Sequence, residues 1–384
     1  MVKRKVSGIM LLLLLIGIFA LAFNIQPVKA SGTIYIMADG SIDPRDAPIS
    51  TFDNVTYTFT DNIYDSIVVE RDNIVIDGDN YTVEGRYVSE SKGIFLSGRS
   101  NVTIKNVTVK KFDYGIRLDG SSGNIIQGNT VTNNRHGIYL YLWSSSNNIV
   151  SDNNITANNG DGIWLYQSSN NTISGNNITN NDNGIYLWSS SNYNSISGNN
   201  ITANNRHGIW LWYSSNYNSI SRNNITNNYS GIRLYKSTGN NISENNIIVN
   251  NWRGIMLSWS SDNAIYHNNF VDNAEQVWSE YSINFWDDGY PSGGNYWSDY
   301  TERYPDAEEL DGSGLWDTPY VIDEDNQDNY PIIPEFPSTV IILLALLSTT
   351  FAVIIGKKRL LENLKTNPKP KPYKVRIHCA LMSK

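Results

Sequence analysis

The chain has 384 residues, a formal net charge of −8 and a single cysteine, Cys379, so an intrachain disulfide is excluded. Residues 31–336 contain 16 Lys or Arg and 36 Asp or Glu, a balance of −20. A surface this acidic argues against nucleic acid and anionic lipid as partners.

The first 30 residues have the pattern of a secretory signal peptide. Basic Lys3-Arg4-Lys5 precede an apolar stretch over 9–23, and small residues lead up to Ala30. This pattern predicts export with cleavage near Ala30. An uncleaved N-terminal anchor is the alternative.

A repeated unit occupies the middle of the chain. Its first motif is Gly-Ile-x-Leu, and successive copies are 22 to 25 residues apart. The copies begin at Gly115, Gly137, Gly162, Gly184, Gly208, Gly231 and Gly254. A fixed period of this length is typical of solenoids. We expect residues 31–92 to cap and begin the solenoid, and 93–277 to form its coils.

Each repeat contains short runs in which apolar and polar residues alternate. Ile138 and Leu140 point to one side, Tyr139 and Tyr141 to the other, and turn-forming residues separate this run from the next. A unit this short has no room for a helix. The repeat therefore predicts an all-β fold, a parallel β-helix with one coil per repeat and an interior filled by Ile and Leu.

Asparagine recurs at fixed offsets in two predicted columns. The first holds Asn176, Asn199, Asn223 and Asn245, and the second holds Asn177, Asn200, Asn224 and Asn246. Amides stacked in this way can hydrogen-bond from coil to coil. The alternative interpretation is N-glycosylation at Asn-x-Ser/Thr sequons. The candidate acceptors are Asn54, Asn80, Asn101, Asn106 and Asn228.

Aromatic residues form two further predicted columns, on the outer side of the Gly-Ile-x-Leu runs. They are Tyr139, Trp164, Tyr186 and Trp210 in one column, and Tyr141, Tyr166, Trp188, Trp212 and Tyr235 in the other. Such rings could bind sugar rings or an apolar polymer. They could instead stack on one another and stabilise the sheet. Cover by another part of the chain or by a partner is the third possibility.

Polar residues precede the repeat glycine in four coils and form the next candidate site. His136, Asp161, Asp182 and His207 are expected in one turn of successive coils. A solvated turn, a polar edge that orients a bound sugar, and a mixed His-Asp metal site remain open. Three coils separate the two histidines by roughly 14 Å, so they cannot ligate one metal. Asp161 and Asp182 are also the only adjacent acids available for catalysis, since glycoside hydrolysis needs two carboxylates.

Residues 278–334 are rich in Trp and Tyr and predict a C-terminal cap and stalk, which an open β-helix end requires. Within them Glu309, Asp311, Ser313 and Asp317 follow the alternating pattern of a degraded calcium loop. An acidic surface loop is the alternative. Calcium is thus the candidate cofactor, and copper ligands are scarce.

An apolar segment near the end of the sequence predicts a transmembrane helix at 338–355. A basic cluster, Lys357-Lys358-Arg359, follows directly, so the positive-inside rule places the tail, 356–384, in the cytoplasm. We therefore expect a protein exported to the cell surface and anchored in the plasma membrane.

The repeats resemble the NosD family of right-handed parallel β-helix proteins, together with carbohydrate-binding relatives and sugar hydrolases. Archaeal surface members are similar at Gly32-Thr33-Ile34-Tyr35-Ile36, at the aromatic block of residues 286–300 and at Asp317-Thr318-Pro319-Tyr320. Pro334-Glu335-Phe336-Pro337 resembles an archaeal PEF-type sorting signal, which implies sortase processing or a retained anchor. The family name implies copper binding.

These observations favour non-catalytic recognition of a polysaccharide or cell-envelope polymer through the aromatic columns. A polysaccharide lyase or hydrolase is the first alternative, and a structural surface protein or adhesin is the second. Copper binding ranks last among the functions considered.

Overall fold

The computed structural model describes residues 32–142 and 145–334. The predicted signal peptide, transmembrane helix and cytoplasmic tail lie outside these residues. Within the two described ranges, no helix combines the length and apolar character needed to cross a membrane.

Three stacked sheets form the walls of a parallel β-helix of about ten turns, as the repeat predicted. The chain passes through sheet 1, sheet 2 and sheet 3 in turn within each coil. The strands of sheet 1, in spatial order, are Ile42–Asp43, Ile34–Ile36, Ile67–Val69, Lys92–Ser97, Tyr114–Asp119, His136–Tyr141, Ile163–Tyr166, Ile185–Trp188, His207–Trp212, Ser230–Tyr235, Arg253–Ser258 and Glu275–Glu280.

Sheets 2 and 3 are built from strands of mostly three residues. Sheet 2 comprises Ile49–Ser50, Thr56–Phe59, Val75–Asp77, Thr103–Lys105, Ile125–Gln127, Ile149–Ser151, Thr172–Ser174, Ser195–Ser197, Ser219–Ser221, Asn241–Ser243 and Ala264–Tyr266. Sheet 3 comprises Thr82–Glu84, Thr108–Lys110, Thr130–Thr132, Asn154–Thr156, Asn177–Thr179, Asn200–Thr202, Asn224–Thr226, Asn246–Ile248, Asn269–Val271 and Tyr296–Trp297.

The core is a column of aliphatic side chains inside the coils. Equivalent residues pair directly in sheet 1, so that Ile163 faces Ile185 and Ile185 faces Ile209. All three side chains are fully buried. Because every coil repeats the same inward positions, the solenoid has one continuous core.

Asparagine ladders run along the interior at all three corners of the coil. At the corner between sheets 2 and 3, Asn176 Nδ2 donates to Asn199 Oδ1 at 2.9 Å, and Asn199 Nδ2 donates to Asn223 Oδ1 at 2.9 Å. This ladder was predicted, and so was the outer column, in which Asn200 Nδ2 donates back to Asn177 Oδ1 at 2.8 Å. The ladders beginning at Asn124 and Asn134 were not predicted.

The repeat glycine is fixed by close approach of the next coil. A Cβ added at Gly184 would lie 2.5 Å from the carbonyl oxygen of Gly208 and 2.6 Å from Ile201 Cγ2. Real Cβ atoms do not tolerate such contacts, so the coil needs glycine here to keep its spacing.

The ends of the solenoid are covered. The antiparallel strands Ile42–Asp43 and Ile49–Ser50 pair at the N-terminal side. At the C-terminal side lie the helix Tyr300–Arg303 and a two-stranded antiparallel sheet, Tyr320–Val321 with Gln327–Asp328. An uncovered edge would expose unpaired backbone groups.

The C-terminal cap also ends each interior ladder. Asn326 Oδ1 accepts the backbone N–H of Asn284, the last residue of one ladder, at 2.9 Å. Asp328 Oδ2 accepts the N–H of Asn295 at 2.7 Å, and Gln276 Oε1 accepts from Asn273 Nδ2 at 2.9 Å.

Candidate functional site

The nine predicted aromatic residues lie in two adjacent columns on the outer side of sheet 1. Strand register pairs Tyr139 with Trp164, Trp164 with Tyr186, and Tyr186 with Trp210. The second column runs through Tyr141, Tyr166, Trp188, Trp212 and Tyr235 in the same way. Identical register in successive coils follows from the inward Ile and Leu, because alternate residues must point outward.

Most of the rings are stacked on their neighbours along the axis. The centroids of Tyr139 and Trp164 are 4.3 Å apart with planes at 19°, and those of Tyr186 and Trp210 are 4.6 Å apart at 21°. Tyr141 and Tyr166 stack at 5.3 Å. Stacked pairs of this kind stabilise a sheet by about 0.5–1.5 kcal/mol each.

Two members of the first column are not available as open binding faces. Tyr139 is 4% exposed and Trp210 is 7% exposed, because neighbouring rings cover both of their faces. The expectation of open ring faces is therefore wrong at these two positions. The other seven rings are half-buried and form a partly exposed row. We call this row the aromatic surface: Tyr141, Trp164, Tyr166, Tyr186, Trp188, Trp212 and Tyr235.

An arginine lies over each end of the aromatic stack. The Arg117 guanidinium is 5.4 Å from the Tyr139 ring and 5.1 Å from the Tyr141 ring. The Arg233 guanidinium is 5.2 Å from the Trp210 ring at the other end. Cation–π contacts of this geometry favour a fixed guanidinium position.

A chain of polar contacts flanks the first aromatic column. The Asp161 backbone N–H donates to His136 Nδ1 at 3.2 Å, and Asp161 Oδ2 lies 3.3 Å from the same nitrogen. Asn183 Nδ2 donates to Asp161 Oδ1 at 2.8 Å, and the His207 N–H donates to Asn183 Oδ1 at 3.2 Å. The predicted grouping of histidine and aspartate is thus present only in part.

Asp182 departs from the predicted arrangement. Asn183, directly before Gly184, occupies the position expected for Asp182. Asp182 instead pairs with Arg206 at 3.5 Å. Burial raises the pKa of the Asp182 carboxyl, an effect that Arg206 opposes and the Asp161 charge reinforces.

His207 is held neutral in the interior of this cluster. Burial, together with the charges of Arg233 and Arg206, lowers its pKa to about 3. Arg233 Nη1 donates to His207 Nε2 at 3.2 Å, which places the imidazole proton on Nδ1.

Copper does not fit the donors that the structure brings together. Among the described residues, no three His, Cys, Asp or Glu side chains are grouped so that they could hold a metal. His136 and His207 are three coils apart, Met256 packs within sheet 1, and His267 Nε2 lies 3.0 Å from the Ser292 carbonyl oxygen. The soft ligand sets that copper prefers are therefore not assembled in this part of the chain.

The predicted calcium ligands are engaged in separate local contacts. Glu309 Oε1 accepts from the Gly314 N–H at 2.9 Å, Asp311 Oδ2 accepts from the Tyr290 hydroxyl at 3.1 Å, and Asp317 Oδ1 accepts from Thr318 at 2.9 Å. The Ser313 hydroxyl donates to the Leu310 carbonyl. The geometry is that of a self-bonded acidic loop, the alternative interpretation, and the calcium prediction is wrong for these coordinates of the loop.

The sequons divide by exposure. Asn54, Asn80, Asn101 and Asn106 are exposed, so glycosylation at these positions stays a prediction. Asn228 is fully buried, and its Nδ2 donates to the Ile201 and Thr226 carbonyls and to Asn250. A glycan cannot be attached to an amide with this environment, so the prediction for Asn228 is wrong.

Sequence reasoning missed Arg117, Arg233 and Asn183 as site residues. The two arginines occupy the outward position of Gly-Ile-x-Leu in their coils, directly next to aromatic positions in the register. That repeat position was the available signal. The ring of Tyr114, one strand earlier, stacks on Tyr139 at 5.2 Å and extends the column.

Solved structures with a similar fold include enzymes and a phage protein. A point mutant of the periplasmic alginate epimerase AlgG has a TM-score of 0.51 and 17% identity, covering 65% of this chain and 72% of that one. DFA-IIIase from Arthrobacter chlorophenolicus A6 without its lid has a TM-score of 0.45 and 14% identity, covering 61% and 63%. The Dettilon tailspike protein has a TM-score of 0.41 and 17% identity, covering 64% and 68%.

At such identities the alginate epimerase establishes a shared fold alone. No curated protein has a significant sequence match to the chain. The family described as "Periplasmic copper-binding protein (NosD)" matches residues 53–204 and 191–302. These matches span most of the β-helix, and the chain therefore belongs to the NosD family.

Proposed function

We propose that the protein binds a polysaccharide or another linear cell-envelope polymer along the aromatic surface. The observation that carries the proposal is the register of the two aromatic columns, which repeats partly exposed rings on successive coils about 4.8 Å apart. A linear polymer of sugar rings is periodic on a comparable length, so successive units meet equivalent contacts.

The chemistry of the surface suits such a ligand. Tyr and Trp offer apolar ring area beside polar edge atoms, and sugar rings present the same combination. The rings are held by stacking before any ligand arrives, so little side-chain entropy is lost on binding. The alginate epimerase with the same fold acts on a polysaccharide by its name, which supports the ligand class.

The proposal extends to location. The family description, "periplasmic", and the N-terminal sequence pattern both support an exported protein. Anchoring at the cell surface through residues 338–355, archaeal origin and a sorting signal remain parts of the proposal that rest on sequence pattern only.

The test compares two pairs of aromatic residues on the same two coils. Trp188→Ala/Trp212→Ala removes rings from the aromatic surface. Tyr193→Ala/Tyr217→Ala removes a stacked pair, 5.3 Å apart, from an exposed turn away from that surface. Binding of both variants to a panel of immobilised polysaccharides is measured by isothermal calorimetry or affinity electrophoresis, after circular dichroism and melting confirm folding.

We expect the tryptophan variant to lose affinity by about 30-fold, as truncated aromatic anchors do. The tyrosine variant should bind as the parent protein does. Equal binding by all three proteins, or equal losses in both variants, would contradict the proposal. A panel to which the parent protein does not bind at all would favour the structural or adhesin role.

A polysaccharide-degrading enzyme is the second candidate, favoured by the raised pKa of Asp182 beside Asp161 and His136. A carboxyl that keeps its proton can act as a general acid. This candidate predicts release of reducing ends or unsaturated products that Asp182→Asn abolishes. Persistent absence of products across the same panel would exclude it for those polymers.

A further inference from the structure

Buried polar hydrogen-bond donors without partners concentrate at one end of the aromatic stack. Seven side-chain atoms of the described residues are buried and lack a hydrogen-bond partner within the protein. Five of them lie on the adjacent strands His207–Trp212 and Ser230–Tyr235. They are His207 Nδ1, Trp210 Nε1, Trp212 Nε1, Ser230 Oγ and Arg233 Nε.

All five atoms carry a proton in the arrangement described above. Trp and Arg nitrogens can only donate, the Ser230 hydroxyl can donate, and the Arg233 contact leaves the His207 proton on Nδ1. Buried polar groups are normally satisfied, and a cluster of unsatisfied ones indicates a function or a bound group. A cluster composed of donors favours a ligand that supplies acceptors.

Arg233 is the centre of this cluster, and it has no carboxylate partner. Arg117 holds the same position of the Gly-Ile-x-Leu motif four to five coils earlier, and Asp119 neutralises it through contacts of 2.7 and 3.0 Å. Arg253 in the next coil is paired with Glu275 at 2.7 Å. In the part of the chain that the structure describes, Arg233 is bonded only to His207 Nε2.

The residue that replaces Asp119 in the Arg233 coil is Tyr235. Both lie two positions after the arginine, on the same column of sheet 1. The charge of Arg233 is therefore half-buried without an internal counter-ion, in a chain that has acids in excess. A half-buried guanidinium without a partner is costly unless something supplies negative charge.

We propose that Arg233 forms an anion subsite at the end of the aromatic surface, which takes the carboxylate or sulfate group of an acidic glycan. This inference rests on the proposed function and specifies its substrate class. Arginine matches planar oxyanions through two parallel hydrogen bonds, and the tryptophan faces hold the guanidinium in place. The exposed part of Arg233 gives the anion access from solvent.

The experiment uses the full-length protein at physiological ionic strength, which screens its net charge of −8. The probes are oligogalacturonates, sulfated oligosaccharides and neutral β-glucan oligosaccharides of equal length. The variants are Arg233→Gln, Tyr235→Asp and Tyr235→Asn. Tyr235→Asp supplies the internal carboxylate that Asp119 gives Arg117, and Tyr235→Asn is its uncharged match.

For one or both acidic probes we expect about 10-fold or higher affinity than for the neutral probe, since charge-assisted contacts add to ring contacts. Arg233→Gln and Tyr235→Asp should remove this preference, and Tyr235→Asn should keep it. The relative affinities of the galacturonate and sulfated probes identify the anionic group. Equal binding of acidic and neutral probes by the parent protein would overturn the anion subsite and leave the proposed function intact.

A second measurement covers the case in which no oligosaccharide binds, which would refute the proposed function. Glucuronate and sulfate are added separately, and the melting temperature is recorded. A rise in the parent protein that Arg233→Gln and Tyr235→Asp both abolish supports the subsite for small anions. No rise, or a rise that both variants retain, overturns it.

Discussion

The asparagine ladders are expected to carry a large part of the stability of the β-helix, and Asn199→Ala tests this at the centre of one ladder. Asn199 is 1% exposed. Its Nδ2 donates to the Ile173 carbonyl at 2.9 Å and to Asn223 Oδ1 at 2.9 Å. Its Oδ1 accepts from both the backbone N–H and Nδ2 of Asn176, at 3.0 and 2.9 Å.

The magnitude follows from what alanine leaves behind. The backbone N–H of Asn176 loses the acceptor it has in the ladder, and an orphaned buried N–H costs about 1–3 kcal/mol. Two further donations by Asn199 are lost at ~1 kcal/mol each. Asn176 Nδ2 keeps the Val150 carbonyl at 2.8 Å and limits the damage. We expect a loss of ~3–5 kcal/mol in the free energy of unfolding.

Asn200→Ala is the matched control, since it makes the same chemical change one residue later in the same strand. Asn200 belongs to the outer column, where its Nδ2 donates to Asn177 Oδ1 at 2.8 Å and its side chain is partly exposed. Water can replace the lost contact, so the expected cost is below ~1 kcal/mol.

The assay is guanidinium unfolding followed by far-UV circular dichroism, with hydrogen exchange to locate the weakened coils. In a solenoid each coil contacts only its neighbours, so faster exchange should concentrate near Asn176, Asn199 and Asn223. Equal shifts of the unfolding midpoint for the inner and outer variants would refute the reasoning, because burial would then not decide the cost.

Three other predictions concern the repeat glycine, the buried histidine and the cap. Gly184→Ala should lower the melting temperature more than Gly198→Ala, because the first Cβ meets the next coil whereas the second meets nothing within 4 Å and has only a positive φ of 64° to accommodate. Stability should fall as pH drops from 6.5 towards about 3, by up to ~4 kcal/mol, since unfolded His207 takes up a proton that the folded state resists; His207→Gln should flatten this dependence in unfolding titrations. Asp328→Ala removes acceptors from the Asn295 N–H and Trp297 Nε1, so hydrogen exchange should accelerate in the cap by the equivalent of ~3 kcal/mol while the central coils stay protected.

The coil architecture was predictable because its cause is local and repeated. Each Gly-Ile-x-Leu run fixes which side chains point inward, and successive runs are forced into the same register by the shared core. Ile138 and Leu140 were assigned to the interior on this basis and are fully buried. The columns of outward rings follow from the same alternation.

The orientation of the rings could not be derived from spacing. Alternation states that Tyr139 and Trp210 leave the core, but contacts between coils decide whether a ring face meets solvent or another ring. The same limit explains Asp182: a one-residue difference in the turn before Gly184 gives the column position to Asn183. Turn length varies among the repeats, and side-chain direction in a turn depends on it.

Charge pairing across coils was also beyond the sequence pattern. Arg117 and Arg233 hold the same motif position, yet Asp119 neutralises the first and Tyr235 leaves the second without a carboxylate. The difference becomes visible only when the strands are placed beside each other and the neighbours of each guanidinium are known.

The three interior ladders have a common polarity, since each amide donates to the coil that follows it and the last acceptors belong to the cap. A tandem duplication of one unit of 22 to 25 residues would therefore join the existing series without changing either terminus of it. Recombination between near-identical units can lengthen or shorten such a gene in whole steps, and the molecule's reach changes with it while its folding rules stay the same.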